Sequence, residues 1–308
     1  MNTHTLPYAS VSQEMDEAYP HLLVESAALL TKSIDERTTW INTDRFIMHS
    51  NAKPVLSAMK DIFNRPPCIR PACLAVIGDS NEGKTAVANR FFRDMGGDPA
   101  NIFGNHEEMP IVLVEMPPRA TEPRICLAIA RALHLTSSAN TKSRLVSDHV
   151  YRALVAKKVR VLILMEFQHA EPLPKFERQV VLDMVKGISN QGISVIAVGT
   201  EEARKLLGQD EQVANRMRVI HIKGFTQGQD LMDFLHSLEA FYPLPQPSGL
   251  GEKQMMNRIY LRTLGVTGDI IAQCNAAAVW AVRNNKPCID AEALVMAALL
   301  PKASASAA

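Results

Sequence analysis

A chain of 308 residues, 47% of them hydrophobic, is long enough for one large or two modest domains with a substantial core. Its 33 basic and 32 acidic residues nearly cancel, which excludes nucleic-acid binding through a global positive field and confines any such surface to a local patch. Five cysteines (Cys68, Cys73, Cys126, Cys274 and Cys288), odd in number and without metal-ligand spacing, argue against a disulfide frame and for reduced, buried thiols. No apolar stretch approaches a membrane span and the polar start Met1-Asn2-Thr3-His4-Thr5 lacks a signal-peptide pattern, so a cytoplasmic protein without a membrane partner is expected.

Residues 1–20 are polar, contain Pro7 and Pro20, and read as a flexible arm. Helical spacing follows over 21–30 and again over 51–63, the latter ending at Arg65-Pro66-Pro67, with Trp40-Ile41 and Arg45 between them. The apolar run 74–77 then leads into Gly78-Asp79-Ser80-Asn81-Glu82-Gly83-Lys84-Thr85, a G-x-x-x-x-G-K-T loop, and into a helical pattern that begins with Ala86. Strand, loop and helix stand in the order that a phosphate site requires. The glycines let the backbone curl so that its N–H groups and the helix N-terminus face a polyphosphate, Lys84 neutralises the outer phosphates, and the Thr85 hydroxyl is a ligand for Mg²⁺. Residues 78–86 are therefore the expected nucleotide-binding segment.

Further short apolar runs at 111–114, 159–164, 193–198 and, more weakly, 219–222 alternate with amphipathic segments, the pattern of a parallel sheet wrapped by helices. After Gly224 the β-rich runs cease and helical patterns cover 230–241, 252–264, 269–284 and the region near 290–300, with Pro243, Pro245, Pro247 and Gly249 forming a stiff loop among them. The expected architecture is an α/β nucleotide domain over 21–224 that includes the N-terminal helical segment, a small all-helical lid over 225–300, and a disordered tail at 301–308.

Candidate catalytic residues sit at strand ends. The run 161–164 is followed by Met165 and Glu166, where phosphate-loop ATPases carry Asp then Glu, the first organising Mg²⁺ and the second orienting the attacking water. Glu166 keeps the water-activating position and a place near the metal; Met165 removes the aspartate, so hydrolysis is expected to be slow. Thr200, after the strand 193–198, is a candidate sensor of the γ-phosphate. Arg216 and Arg218, just before the last strand, are candidates to reach a neighbouring subunit's nucleotide in trans.

Residues 78–85, 162–166, Val198-Gly199-Thr200, Asp210-Glu211-Gln212-Val213 and Asn215-Arg216-Met217-Arg218, in this order and spacing, resemble the AAA+ transposition regulators known as TniB or TnsC. The likeness runs from about residue 35 to residue 295 and includes Trp40 and Arg45, which it places with the cofactor-binding residues. Two departures stand out: Met165 replaces the aspartate, and the lid segment 265–269 has no arginine for a second sensor. The resemblance implies an AAA+ P-loop fold and an ATPase that uses ATP and Mg²⁺. It also implies a homo-oligomer, ring or helical filament, on double-stranded DNA that links a TniQ/TnsD-like target-selection protein to a transposase, with hydrolysis driving disassembly. For the DNA patch it points to Arg119 and Arg124, in a Pro-rich loop, and to Lys142 and Arg144, at the start of a helix. Two alternatives stay open, an ATP-switched DNA-binding scaffold with little or no hydrolysis and, less well supported, a small-molecule kinase using the same loop.

Overall fold

A computed structural model describes residues 18–66, 68–97, 108–135 and 143–299. The chain divides into two compact units: one is Ser50–Lys223, and the other joins the chain up to His49 to the chain from Gly224 onward.

Five parallel strands organise the first unit: β1 (Cys73–Ile77), β2 (Ile111–Glu115), β3 (Val161–Met165), β4 (Ser194–Gly199) and β5 (Met217–His221), in the spatial order β2-β3-β4-β1-β5. Every residue of β1, β3 and β4 is buried, as expected of central parallel strands covered by helices on both faces. The alternation is visible in the packing. Ala75, Val112, Val114, Leu162, Leu164, Val195 and Ala197 join one cluster with Ile125 and Ile129 of helix Glu122–Ala132 and Val181 and Val185 of helix Lys175–Asn190. Against the opposite face lie helices Ala52–Asn64 and Lys84–Asp94, joined by Phe63 and Phe91 edge to face with ring centroids 6.3 Å apart. The edge strand β5 exposes Arg218, Val219 and His221. Because all strands run the same way, their C-terminal ends, Ile77, Met165 and Gly199 among them, share one edge of the sheet.

The second unit is helical: Val24–Ala27, Ile34–Asn42, Gln229–Glu239, Lys253–Thr263, Thr267–Arg283 and Ala291–Leu299. Its core collects Ile41, Leu231, Phe234, Leu235, Ile259, Ile270, Ala277 and Ala281. The expectation that residues 21–49 begin the nucleotide domain is corrected here. Ile41 is buried among the C-terminal helices, the Trp40 indole donates to the Phe241 carbonyl at 2.9 Å, and the Arg37 guanidinium donates to Pro243 O at 2.6 Å. Periodicity identifies an apolar helix face without naming its partner, and here the partner lies some 200 residues away. Ser33 and Glu36 form a capping box that starts helix Ile34–Asn42. The proline loop is held by the buried Glu239 carboxylate, which accepts the N–H groups of Ser248 (2.5 Å), Gly249 (3.1 Å) and Leu250 (2.8 Å). No helix among the described residues is long and apolar enough to cross a membrane.

Candidate nucleotide site

Strand β1 delivers the chain to Gly78, whose N–H donates to Gly199 O at 3.2 Å. A Cβ on Gly78 would stand 2.6 Å from the Ile222 carbonyl oxygen, so the close approach of two backbones requires glycine. Asn81 (φ 67°) and Gly83 (φ 84°) both take the left-handed conformation and turn the loop into helix Lys84–Asp94. No side chain among the described residues caps that helix, which leaves its first N–H groups for an anion. Asp79, Ser80, Asn81, Thr85 and Ala86 are exposed around the loop, while Glu82 is buried. Lys84 is 7% exposed and curls back so that Nζ donates to Gly78 O (2.9 Å) and Asp79 O (2.5 Å). Burial lowers its pKa, and the carboxylates of Glu166, Asp79 and Glu82 oppose that shift. The arrangement is a desolvated ammonium whose partners are backbone carbonyls, which phosphate oxygens would replace favourably.

Two strands over from the loop, beyond β4, β3 ends at Met165, 4% exposed, and Glu166 follows in a left-handed conformation (φ 55°, ψ 43°) that opens the turn Phe167–Ala170. Glu166 Oε2 accepts from Gln168 Nε2 at 2.5 Å, and Gln168 Oε1 accepts the Thr200 N–H at 3.3 Å. The Thr200 hydroxyl donates to Glu202, so it is the amide of Thr200 that joins this network; the expected sensor hydroxyl points to a neighbouring carboxylate. Sequence reasoning missed Gln168, whose one signal was a polar residue two positions beyond the strand-end acid. His169 is a brace: its Nδ1 lies 2.8 Å from Met116 O and its carbonyl accepts the Ala120 N–H at 3.1 Å.

Among the described residues no cluster of three or more His, Cys, Asp or Glu could hold a metal ion. Thr85 and Glu166 offer one hydroxyl and one carboxylate, a set that fits a Mg²⁺ carried in by nucleotide oxygens and water and no dedicated cage.

The two arginines part company. Arg218 sits exposed within β5, in register with Leu74. Arg216 precedes the strand, donates from Nη1 to Asn190 Oδ1 at 2.9 Å, and lines a cavity of about 1170 Å³ at the N-terminal edge of the sheet with Arg65, Arg70, Lys158 and Arg160. The acid in that wall, Glu108, is paired with Lys158. Of the DNA candidates, Arg119 is exposed at φ 52° and Arg124 folds onto its own loop, donating to Pro118 O at 2.6 Å. Arg144 falls in the first turn of helix Ser143–Ala156, and Lys142 lies outside the described residues. Trp40 and Arg45 belong to the helical unit, where Arg45 stacks 3.8 Å over the Trp40 ring and donates to the Trp40 carbonyl.

A parallel sheet in this order, with a phosphate loop after β1, a carboxylate after β3 and a polar residue after β4, together with a helical unit, defines an AAA+ P-loop protein. The chain is similar in structure to the Aeropyrum pernix ORC1 protein in complex with DNA (TM-score 0.63, 14% identity, covering 85% of this chain and 68% of that one). It is also similar to the Aeropyrum pernix ORC2 protein in its ADPNP-ADP complexes (TM-score 0.62, 13% identity, 84% and 70% covered) and to Drosophila ORC bound to DNA (0.54, 13%, 96% and 68%). At such identities these likenesses carry the fold. No curated protein matches the chain. The family model described as bacterial TniB protein matches residues 37–227, and the chain belongs to the TniB family.

Proposed function

We propose that this protein is an ATP-dependent regulator of DNA transposition that assembles as a ring or helical filament on double-stranded DNA and links a TniQ/TnsD-like target-selection protein to the transposase. ATP hydrolysis then drives disassembly. The observation that carries this reading is the placement of Lys84 and Arg216 at opposite ends of the sheet. Strands β1 and β5 pair in parallel from Cys73 with Met217 to Ile77 with His221, so about 16 Å of strand separates the phosphate loop from Arg216. One chain does not close both groups on a single triphosphate, whereas a head-to-tail repeat brings the basic cavity around Arg216 to the next copy's loop. Nucleotide at such a seam stabilises the assembly by mass action. DNA phosphates then meet a patch repeated in every subunit, with Arg119, Arg124, Lys142 and Arg144 as its candidates.

Within one site, residues 78–86 cradle the phosphates, Lys84 neutralises them, and Thr85 would hold the Mg²⁺ that accompanies ATP, with Glu166 as the carboxylate near it. That ion would supply charge neutralisation on the β- and γ-phosphates. Glu166 takes the proton of the attacking water and Thr200 stands beside the γ-phosphate. The buried Met165 favours one second reading, the same assembly acting as an ATP-switched scaffold with little or no hydrolysis. Electron microscopy with duplex DNA and a non-hydrolysable ATP analogue tests the first claim: the parent forms rings or filaments, and Lys84→Ala and Arg216→Ala do not. Variants that assemble as readily as the parent would refute it. Turnover measured with duplex DNA and transposase separates the two readings.

A further inference from the structure

We propose that Gln168 is a positioning residue for hydrolysis, setting the Glu166 carboxylate against the end of β4; the inference rests on the nucleotide-site reading above. Glu166 occupies a left-handed backbone conformation that an L residue adopts at a cost of about 1 kcal/mol, so its surroundings must hold it there. The Gln168 side chain meets two unlike partners at once. A carboxylate on one side needs a donor and the Thr200 N–H on the other needs an acceptor, and a carboxamide supplies both. Reversing the amide would set a carbonyl oxygen against the Glu166 carboxylate and an NH₂ against an N–H, so the partners fix its orientation.

Neighbouring residues make room for this bridge and brace it. A Cβ on Gly199 would lie 2.6 Å from Gln168 Oε1 and 2.7 Å from Ala203 Cβ, so a side chain at 199 would evict the amide. The turn itself is fixed by the His169 N–H donating to Glu166 O at 2.9 Å and by the two His169 contacts to residues 116 and 120. With Oε2 tied to Gln168, the other Glu166 oxygen is left for water. Water bonds to the γ-phosphorus, the bond from that phosphorus to the bridging oxygen breaks to release ADP, and the proton shed by water goes to that free oxygen. A shift of Thr200 at the end of β4 moves the amide and, with it, the base.

The test compares Gln168→Ala, Gln168→Glu and Gly199→Ala with the parent, measuring binding of a fluorescent ATP analogue with Mg²⁺ and steady-state turnover with duplex DNA. The expected result is a drop in kcat of at least about 10-fold, equivalent to roughly 1.4 kcal/mol, with affinity and KM within about twofold of the parent. Gln168→Glu still accepts from Thr200 yet sets a like charge against Glu166, so it falls as far as the alanine variant. Recovery of parental kcat by that variant would mean that the residue merely props β4, overturning the proposal. In a Glu166→Gln background, Gln168→Ala costs nothing further; additive losses also overturn it. A parent that binds nucleotide but shows no turnover refutes the positioning role and leaves the scaffold reading standing, while a parent that binds no nucleotide sinks the site itself.

Discussion

Replacing Met165 by aspartate tests whether this side chain stands where a metal-organising carboxylate normally does. Met165 ends β3 at 4% exposure, so the substitution removes about 2 kcal/mol of apolar burial and puts an ionisable group into the same dry space. The Lys84 ammonium, already coupled to Glu166, offsets part of that second cost. A net loss of about 2–4 kcal/mol without ligand follows, or roughly 5–15 °C in the melting temperature of a unit of this size. Mg²⁺ with nucleotide should return much of it, since saturation at a hundred times Kd adds about 2.7 kcal/mol and the new carboxylate strengthens that binding. Calorimetry is the suitable assay, because Trp40 and Trp280 both lie in the helical unit and leave the nucleotide unit without an indole reporter. The expected outcome is a Mg²⁺-nucleotide stabilisation larger in Met165→Asp than in the parent, with turnover at least about tenfold higher. Equal depression with and without Mg²⁺-nucleotide, and unchanged turnover, would refute the reasoning.

Two further predictions concern the helical unit, where tryptophan fluorescence reports directly. Glu239→Gln keeps the volume but offers one acceptor oxygen to three N–H groups and turns an NH₂ against another; a loss of about 2–3 kcal/mol is expected, and an unmoved denaturation midpoint would contradict the role given to this carboxylate. His49 packs against the stacked pair of Phe225 and Phe234 rings, and burial pushes its pKa down to about 4. The unfolded chain binds a proton near pH 6.5 and the folded one does not, so stability is complete above pH 6.5 and is lost as pH falls toward 4. The shift corresponds to at most about 3 kcal/mol, nearer 2 once partial exposure is allowed for. His49→Phe should flatten that dependence in acid denaturation, and a slope that survives the substitution would assign it elsewhere.

What the sequence discloses is what neighbouring residues decide together. The run 74–77, the glycine turn and the helix at Lys84 are contiguous, so their pattern announces strand, loop and helix, and β3 and β4 are legible for the same reason. The Met165–Glu166 strand end is equally local. Grouping of helix Ile34–Asn42 with helices beyond residue 229 is not, because it rests on Ile41, on Trp40 to Phe241 and on Arg37 to Pro243, contacts that no local pattern encodes. Gln168 also escapes, since its role depends on where β4 passes.

The arginines show the limit most clearly. In sequence Arg216 and Arg218 are alternatives two residues apart, and strand register separates them: Met217 pairs with Cys73, so Arg218 is carried along the exposed edge strand opposite Leu74 while Arg216 stays at its N-terminal end. There it faces Arg65, Arg70 and Arg160, residues drawn from two further stretches of chain that meet because every strand of the sheet begins at that edge. A cavity whose arginines outnumber its one acid, Glu108, itself paired with Lys158, carries a net positive field that selects an anion. On the proposed reading that anion is the triphosphate of the next copy, which makes Arg216 the one of the pair whose loss should abolish assembly, while Arg218→Ala leaves it unchanged. Filaments lost with Arg218→Ala and kept with Arg216→Ala would reverse the assignment and place the seam along the β5 edge instead.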